Sequence, residues 1–150
     1  MLPELRECPN DPAALIGQVV HGGRALDLTV IGDGDPMPQV LGFAERAVAA
    51  LQGLEAMAKL AAANALLATY NECWRHHGIV GKDGPSIEIH GPELSSDEFQ
   101  ARLRLHAITV TGATCICLCF GDGRMFAGHS VFVTSFDGLQ FANTHAELFG

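Results

Sequence analysis

The stretch Phe120–Gly138, FGDGRMFAGHSVFVTSFDG, sets two Asp-Gly pairs on either side of an apolar run, with Gly128-His129-Ser130 inside it. Asp-Gly between alternating apolar residues is the sequence form of a tight β-hairpin, because a type I′ turn needs positive φ at both central positions. Read as two-residue turns, the two pairs set a register. Cys119 then lies opposite Phe126, Cys117 opposite Gly128, Ile116 opposite His129 and Cys115 opposite Ser130. Across the second turn Ser130 lies opposite His145, so that Cys115, Ser130 and His145 share one row over three strands. Gly128 weakens a strand and marks a place for a bulge.

Outward from this stretch, LHAITV precedes CICLCF, and LQFANTHAELF follows the second Asp-Gly. The alternation predicts a four-stranded antiparallel C-terminal meander over 104–148, with turns at Gly112-Ala113, Asp122-Gly123 and Asp137-Gly138. Upstream, Ser95 with Glu98 three residues later is a capping box that opens a short helix, with Phe99 and Leu103 facing inward. From Pro38 to about Arg75 apolar residues recur at three- and four-residue spacing, through Val40, Leu41, Ala44, Val48 and Leu51 to Leu67, Tyr70 and Trp74. This predicts two long helices divided at Gly53. Trp74, ending the stripe, is expected to be largely buried, and His76-His77 to complement the dipole at the helix C-terminus. Gly78–Pro92 reads as a loop with Gly81, Gly84, Pro85, Gly91 and Pro92 as breakers and a short strand from Ser86 to His90. At the N-terminus, Gly22-Gly23 suits a hairpin turn that puts Val19 opposite Leu26 and aligns Leu26, Leu28 and Val30 on one face. Asp35 is expected to cap the first helix, with Pro36 in its first turn. The expected fold class is α+β: an N-terminal β-hairpin, two long helices and one short helix packed on the meander, in a single domain, 1–150.

The chain has 150 residues, 48% hydrophobic and 17% charged, enough to bury a core without a metal or disulfide. Its net charge of −8 disfavours nucleic acid, whose phosphates need clustered Lys and Arg, and suits a basic protein partner. No apolar run reaches the ~18 residues of a membrane span. The opening MLPELRECPNDPAALIG lacks the apolar core of a secretory signal. With five cysteines, an odd number, reduced thiols in a cytoplasm are expected.

Cys115, Cys117 and Cys119 share one strand face at ~7 Å intervals, whereas zinc needs thiolates gathered around one point. No metal and no cofactor are expected. A row of thiol, hydroxyl and imidazole resembles a nucleophile with its base, but mid-strand positions are poorly placed for substrate. Within the apolar run His129 reads as a core histidine held by a hydrogen bond. His129, Ser130, His145 and Asp122 are the candidate binding residues.

Tyr70-Asn71 with Trp74, Ser95-Ser96-Asp97-Glu98-Phe99, Leu103-Arg104-Leu105 with Ile108, Asp122-Gly123, Phe126, Gly128-His129-Ser130-Val131 and Asp137-Gly138 together resemble a bacterial family of unknown function. The cysteine strand and the Gly78–Pro92 loop depart from it. The resemblance implies a small α+β domain and supplies no established catalytic residues. By size and charge such domains are similar to immunity and antitoxin proteins. The expectation is therefore a non-enzymatic cytoplasmic protein-binding domain of the immunity or antitoxin-inhibitor type. Two alternatives stay open: a small hydrolase or metal-dependent enzyme centred on His129, and a structural homo-oligomer such as a homo-dimer.

Overall fold

The computed structural model describes residues 2–79, 84 and 87–150. Its N-terminal half is built on a hairpin of β2 (Asp11–His21) and β3 (Arg24–Ile31), with a short β1 (Arg6–Cys8) paired to β2. Gly22 and Gly23 turn the chain with φ of 57° and 77°, conformations that cost glycine nothing. Val19 pairs with Leu26, and Leu26, Leu28 and Val30 all point into the core.

The helical segment divides into α1 (Met37–Ala49) and α2 (Leu51–Thr69) at Ala50, not at Gly53. Ala50, with φ −98° and ψ 10°, leaves the helical region, while its N–H still bonds Arg46 and Ala47 carbonyls. The break lets α1 pack on β3 and α2 on strands at the other end of the sheet. Gly53 lies exposed inside α2 with open space around it. Asp35 does not cap α1: the N-cap position is Pro36, with no side-chain cap. Its carboxylate instead accepts the Ala113 N–H at 2.9 Å, 78 residues away.

α2 ends in one π-helical turn, Tyr70–Trp74, in which the Arg75 N–H bonds the Tyr70 carbonyl at 3.0 Å. His76 does not extend the helix. It opens β4 (His76–Ile79), which forms a separate two-stranded ribbon with β5 (Ile87–His90). The expected breakers Gly81 and Pro85, and Ser86, lie outside the described residues. α3 (Ser96–Arg102) begins with the complete Ser95/Glu98 capping box and buries Phe99.

Four strands follow: β6 (Arg104–Thr111), β7 (Cys115–Gly121), β8 (Ser130–Ser135) and β9 (Thr144–Phe149). They are consecutive and antiparallel, but they are not a separate sheet. β3 pairs in parallel with β6, giving one seven-stranded sheet of order β1-β2-β3-β6-β7-β8-β9. The N-terminal hairpin therefore extends the sheet instead of covering a face of it. The fold is α+β, three α-helices with a large, mostly antiparallel sheet. Leu28, Val30, Ile108, Val110, Ile116, Leu118, Val131 and Val133 are buried together with Val40, Phe43, Leu54, Ala58 and Ala62 of the helices.

The register across the last three strands differs from the hairpin expectation. Cys117 pairs with Thr134, Cys119 with Phe132 and Phe120 with Val131; Ser130 pairs with Phe149 and His145 with Thr134. Neither Asp-Gly makes a two-residue turn. Residues 122–129 form a wide loop, and the second connection contains a 3-10 turn, Gly138–Gln140. A tight turn needs both central residues at positive φ and nothing pulling the flanks apart. Here the aspartates bond downstream N–H groups and open the loops.

Gly123 (φ 56°) shows how tightly the first loop is seated: a Cβ there would stand 2.5 Å from the Arg102 carbonyl oxygen. Gly128 (φ 85°) has open space around it. Gly128→Ala is expected to cost about 1–2 kcal/mol for its conformation alone. Gly123→Ala should cost at least about 1 kcal/mol more, because a backbone atom must also move. Urea denaturation of both variants checks this; equal losses would mean that the loop is not docked on α3.

Candidate functional site

Asp122, Phe126 and His129 meet Tyr70 and Trp74 at the 122–129 loop. Asp122 is buried and organises it. Its Oδ1 accepts the Arg124 N–H at 3.0 Å, and its Oδ2 accepts the Phe126 and Gly128 N–H groups at 2.9 Å each. One carboxylate thus satisfies three backbone donors that no strand partner could reach. The loop inserts Phe126, which is fully buried.

Phe126 sits among aromatic edges. Its centroid lies 5.9 Å from Tyr70, 5.6 Å from Trp74 and 6.0 Å from Phe99, all in edge-to-face geometry. The π-helical turn sets both Tyr70 and Trp74 on this ring. Asn71 locks the turn to the segment ahead of α3: its amide donates to the Leu94 carbonyl at 3.0 Å and accepts the Leu94 N–H at 2.9 Å. Trp74 is half-buried, not largely buried, and the His129 ring lies against it at 5.6 Å.

His129 does not face Ile116. Its Nδ1 lies 2.6 Å from the Phe126 carbonyl, so Nδ1 carries the proton and donates. Ring and backbone both close on that carbonyl, since the His129 N–H reaches it at 3.1 Å. Gly-His-Ser is the exit of an Asp-centred loop rather than the middle of a strand.

The four candidate residues are not brought to one point. Asp122 is committed to the loop and His129 to Phe126 and Trp74. Ser130 starts β8 and pairs with Phe149. His145 lies on β9 beside Glu147, Nε2 to Oε2 3.4 Å. The pairing leaves Ser130 and His145 four strand positions out of register, about 13 Å along the ladder.

A different thiol–imidazole pair exists that the sequence did not reveal. Cys119 Sγ lies 3.2 Å from His106 Nε2. The signal was obscured because the ladder slips between Leu105 and Ala107, at His106, and alternation alone cannot see a slip. Burial pushes the Cys119 thiol up to about 11, assisted by Cys117 and opposed by Ser130. Burial likewise raises Cys115 and Cys117. A nucleophilic cysteine needs the opposite shift. Among the described residues no cluster of three His, Cys, Asp or Glu side chains is arranged to hold a metal ion.

These thiols sit on the face of the sheet opposite the helices. One row runs Ile16–Thr29–Thr109–Cys117–Thr134–His145, and the next Gln18–Asp27–Ala107–Cys119–Phe132–Glu147. The residues of both rows are half-exposed or exposed. Phe132 stacks on Phe149, centroids 4.9 Å apart at 12°.

Fold and site together define a small α+β domain with a one-sided sheet and an Asp-centred aromatic knot. The chain belongs to a bacterial family described as "Uncharacterized protein conserved in bacteria (DUF2262)", whose model matches residues 13–144. The match takes in the N-terminal hairpin as well as the second half of the chain. Comparison with curated proteins and with solved structures gives no match. No helix among the described residues is long and apolar enough to cross a membrane.

Two outcomes follow from the site chemistry. Asp122→Ala leaves three N–H groups without their acceptor and should cost about 2–4 kcal/mol in denaturant unfolding; a loss under about 1 kcal/mol would mean that the loop is held by other contacts. Cys119, with its ionisation pushed up to about 11, should be alkylated by iodoacetamide at least about tenfold more slowly than exposed Cys73 at about pH 8. Mass spectrometry of the modified peptides reads the two rates. A Cys119 that reacts as fast as Cys73 would be a poised thiol.

Proposed function

We propose that this chain is a non-enzymatic protein-binding domain that works through the outer face of its sheet. The observation that carries the reading is the pair of rows across six strands described above. Solvated faces of antiparallel sheets are ordinarily polar and charged. Here one row carries no charge from Thr29 through Thr109 and Cys117 to Thr134, and in the next Ala107, Cys119 and Phe132 lie between the carboxylates of Asp27 and Glu147. A neutral middle with a charged margin is the anatomy of a binding patch.

The partner that fits is a basic protein. Net charge of −8 speeds its approach, and a flat strand surface offers contact area without loop rearrangement. An inhibitor of the immunity or antitoxin type is the form that small size and acidity favour. A reducing compartment such as the cytoplasm suits five free thiols. The enzymatic alternative centred on His129 has less support, because its Nδ1 and the neighbouring Asp122 are already committed to holding the loop.

The test is a photo-cross-linking residue placed at Thr109, in the middle of the outer face, and at exposed Gln52 on α2 as control, in cells that make the protein. Thr109 should give an adduct with a different protein, identified by mass spectrometry, and Gln52 should not. Thr134→Arg should remove the adduct. No adduct at Thr109, or equal adducts at both positions, would overturn the assignment of this face.

A further inference from the structure

The two edges of the sheet are built differently. β1 is three residues long, its register slips between Glu7 and Cys8, and Pro9 and Pro12 follow it. Short length, irregularity and proline are the usual guards against strand addition. β9 has none of them. It is six residues long, THAELF, and its register with β8 runs unbroken from Ser130–Phe149 to Ser135–Thr144.

The phase of that ladder shows what the free side offers. The Phe136 N–H donates to the Asn143 carbonyl at 3.0 Å. Bonded and non-bonded pairs alternate along an antiparallel ladder. His145, Glu147 and Phe149 therefore bond β8, while Thr144, Ala146 and Leu148 direct their N–H and C=O groups to the open edge. Beside this edge α2 packs on β8 and β9 and carries a stripe at helical spacing, Met57, Leu60, Ala61 and Asn64. The stripe lines a shallow groove with Phe141 and Thr144. Met57 and Leu60 are 39% and 48% exposed. In a chain of net charge −8, the groove carries no charged side chain.

We propose that a second copy of this chain adds to this edge, β9 antiparallel to β9 about a twofold axis through Ala146. The residues select that register. Pairing Ala146 with itself puts Thr144 opposite the partner's Leu148, so every outward-directed group of the three residues finds a bond. On the outer face His145 then lies opposite the partner's Glu147, and Glu147 opposite the partner's His145. Within one chain the two lie 3.4 Å apart, and at 62% and 52% exposure each is free to exchange that contact for the partner's side chain. The neighbouring symmetric registers set His145 against itself or Glu147 against itself and leave outward groups unpaired. On the other face the two α2 stripes approach across the axis and cover Met57 and Leu60. Two acidic molecules thus meet through an uncharged groove and two complementary His145–Glu147 contacts. The product is one continuous sheet with its remaining edges the guarded β1 strands. This pairing is independent of any partner on the outer face.

Sedimentation equilibrium of the full chain from about 1 to 200 μM should give a dimer, twice 15.9 kDa. Glu147→Lys and His145→Glu should each weaken it about fivefold or more, since two symmetry-related pairs are disturbed at once. The double variant H145E/E147K restores opposite charges and should return to within about twofold of the parent. Hydrogen exchange of the unmodified protein gives a second readout. The Thr144, Ala146 and Leu148 amides should gain protection as concentration rises, while those of His145 and Glu147 are protected throughout. A monomer at every concentration, a dimer indifferent to all three variants, or no concentration-dependent protection at the three amides would overturn the proposal.

Discussion

The parallel pairing of β3 with β6 is the contact on which the rest of the structure depends. A hairpin of β2 and β3 is marginal on its own, and the last four strands leave their first edge open without it. Pairing Asp27–Ile31 with Ala107–Thr111 joins the two into one sheet with a core face wide enough for three helices. The end of the seam is fastened twice more. The Gly112 N–H bonds the Ile31 carbonyl at 2.8 Å, and the Ala113 N–H bonds Asp35. Gly112, at φ 67°, has room only for hydrogen: a Cβ would stand 2.8 Å from the Asp35 carboxylate. A parallel neighbour requires a long crossover, and α1, α2 and α3 are that crossover, folded back onto the sheet they connect.

Aspartates govern the loops on this frame. Asp35 draws the β6–β7 turn to the start of α1. Asp122 gathers three N–H groups of the β7–β8 loop. Asp137 accepts the Ala142 and Asn143 N–H groups at 3.1 Å each and the Ser135 hydroxyl at 2.9 Å. Burial works against the Asp137 carboxylate, yet these bonds outweigh it and hold the group below its usual range. The wide loop around Asp122 has a structural product that a tight turn would lack: it carries Phe126 into the ring of Tyr70, Trp74 and Phe99. The helix end, the segment before α3 and the strand loop are thereby fixed to one another.

The distribution of chemistry follows from the one-sided sheet. Apolar residues that alternate inward are covered by helices, and the thiols alternate outward. Burial raises their pKa and so suppresses ionisation, and the strand of cysteines behaves as neutral surface. Its neighbours in the same rows are threonine, alanine and phenylalanine.

Much of this was legible in the sequence. The glycine pair Gly22-Gly23 determined the first hairpin and its Val19–Leu26 register, because both effects are local. The Ser95/Glu98 capping box determined the start of α3 for the same reason. Alternation identified the strand regions near 104–111 and 115–121 and their inward residues. The helix break at Ala50 was not legible, since composition favours Gly53 and the need for α1 and α2 to reach different strands is a tertiary demand. Asp122-Gly123 and Asp137-Gly138 have the form of tight turns. Only the folded chain shows their carboxylates reaching N–H groups four to six residues on, which widens both loops and shifts the register by several residues. The candidate site dissolved with that shift: Ser130 and His145 part, and Cys119 meets His106 through a slip that alternation conceals. The parallel seam between β3 and β6 was likewise invisible, because strand direction and neighbour depend on how some seventy intervening residues pack, and no local pattern encodes that.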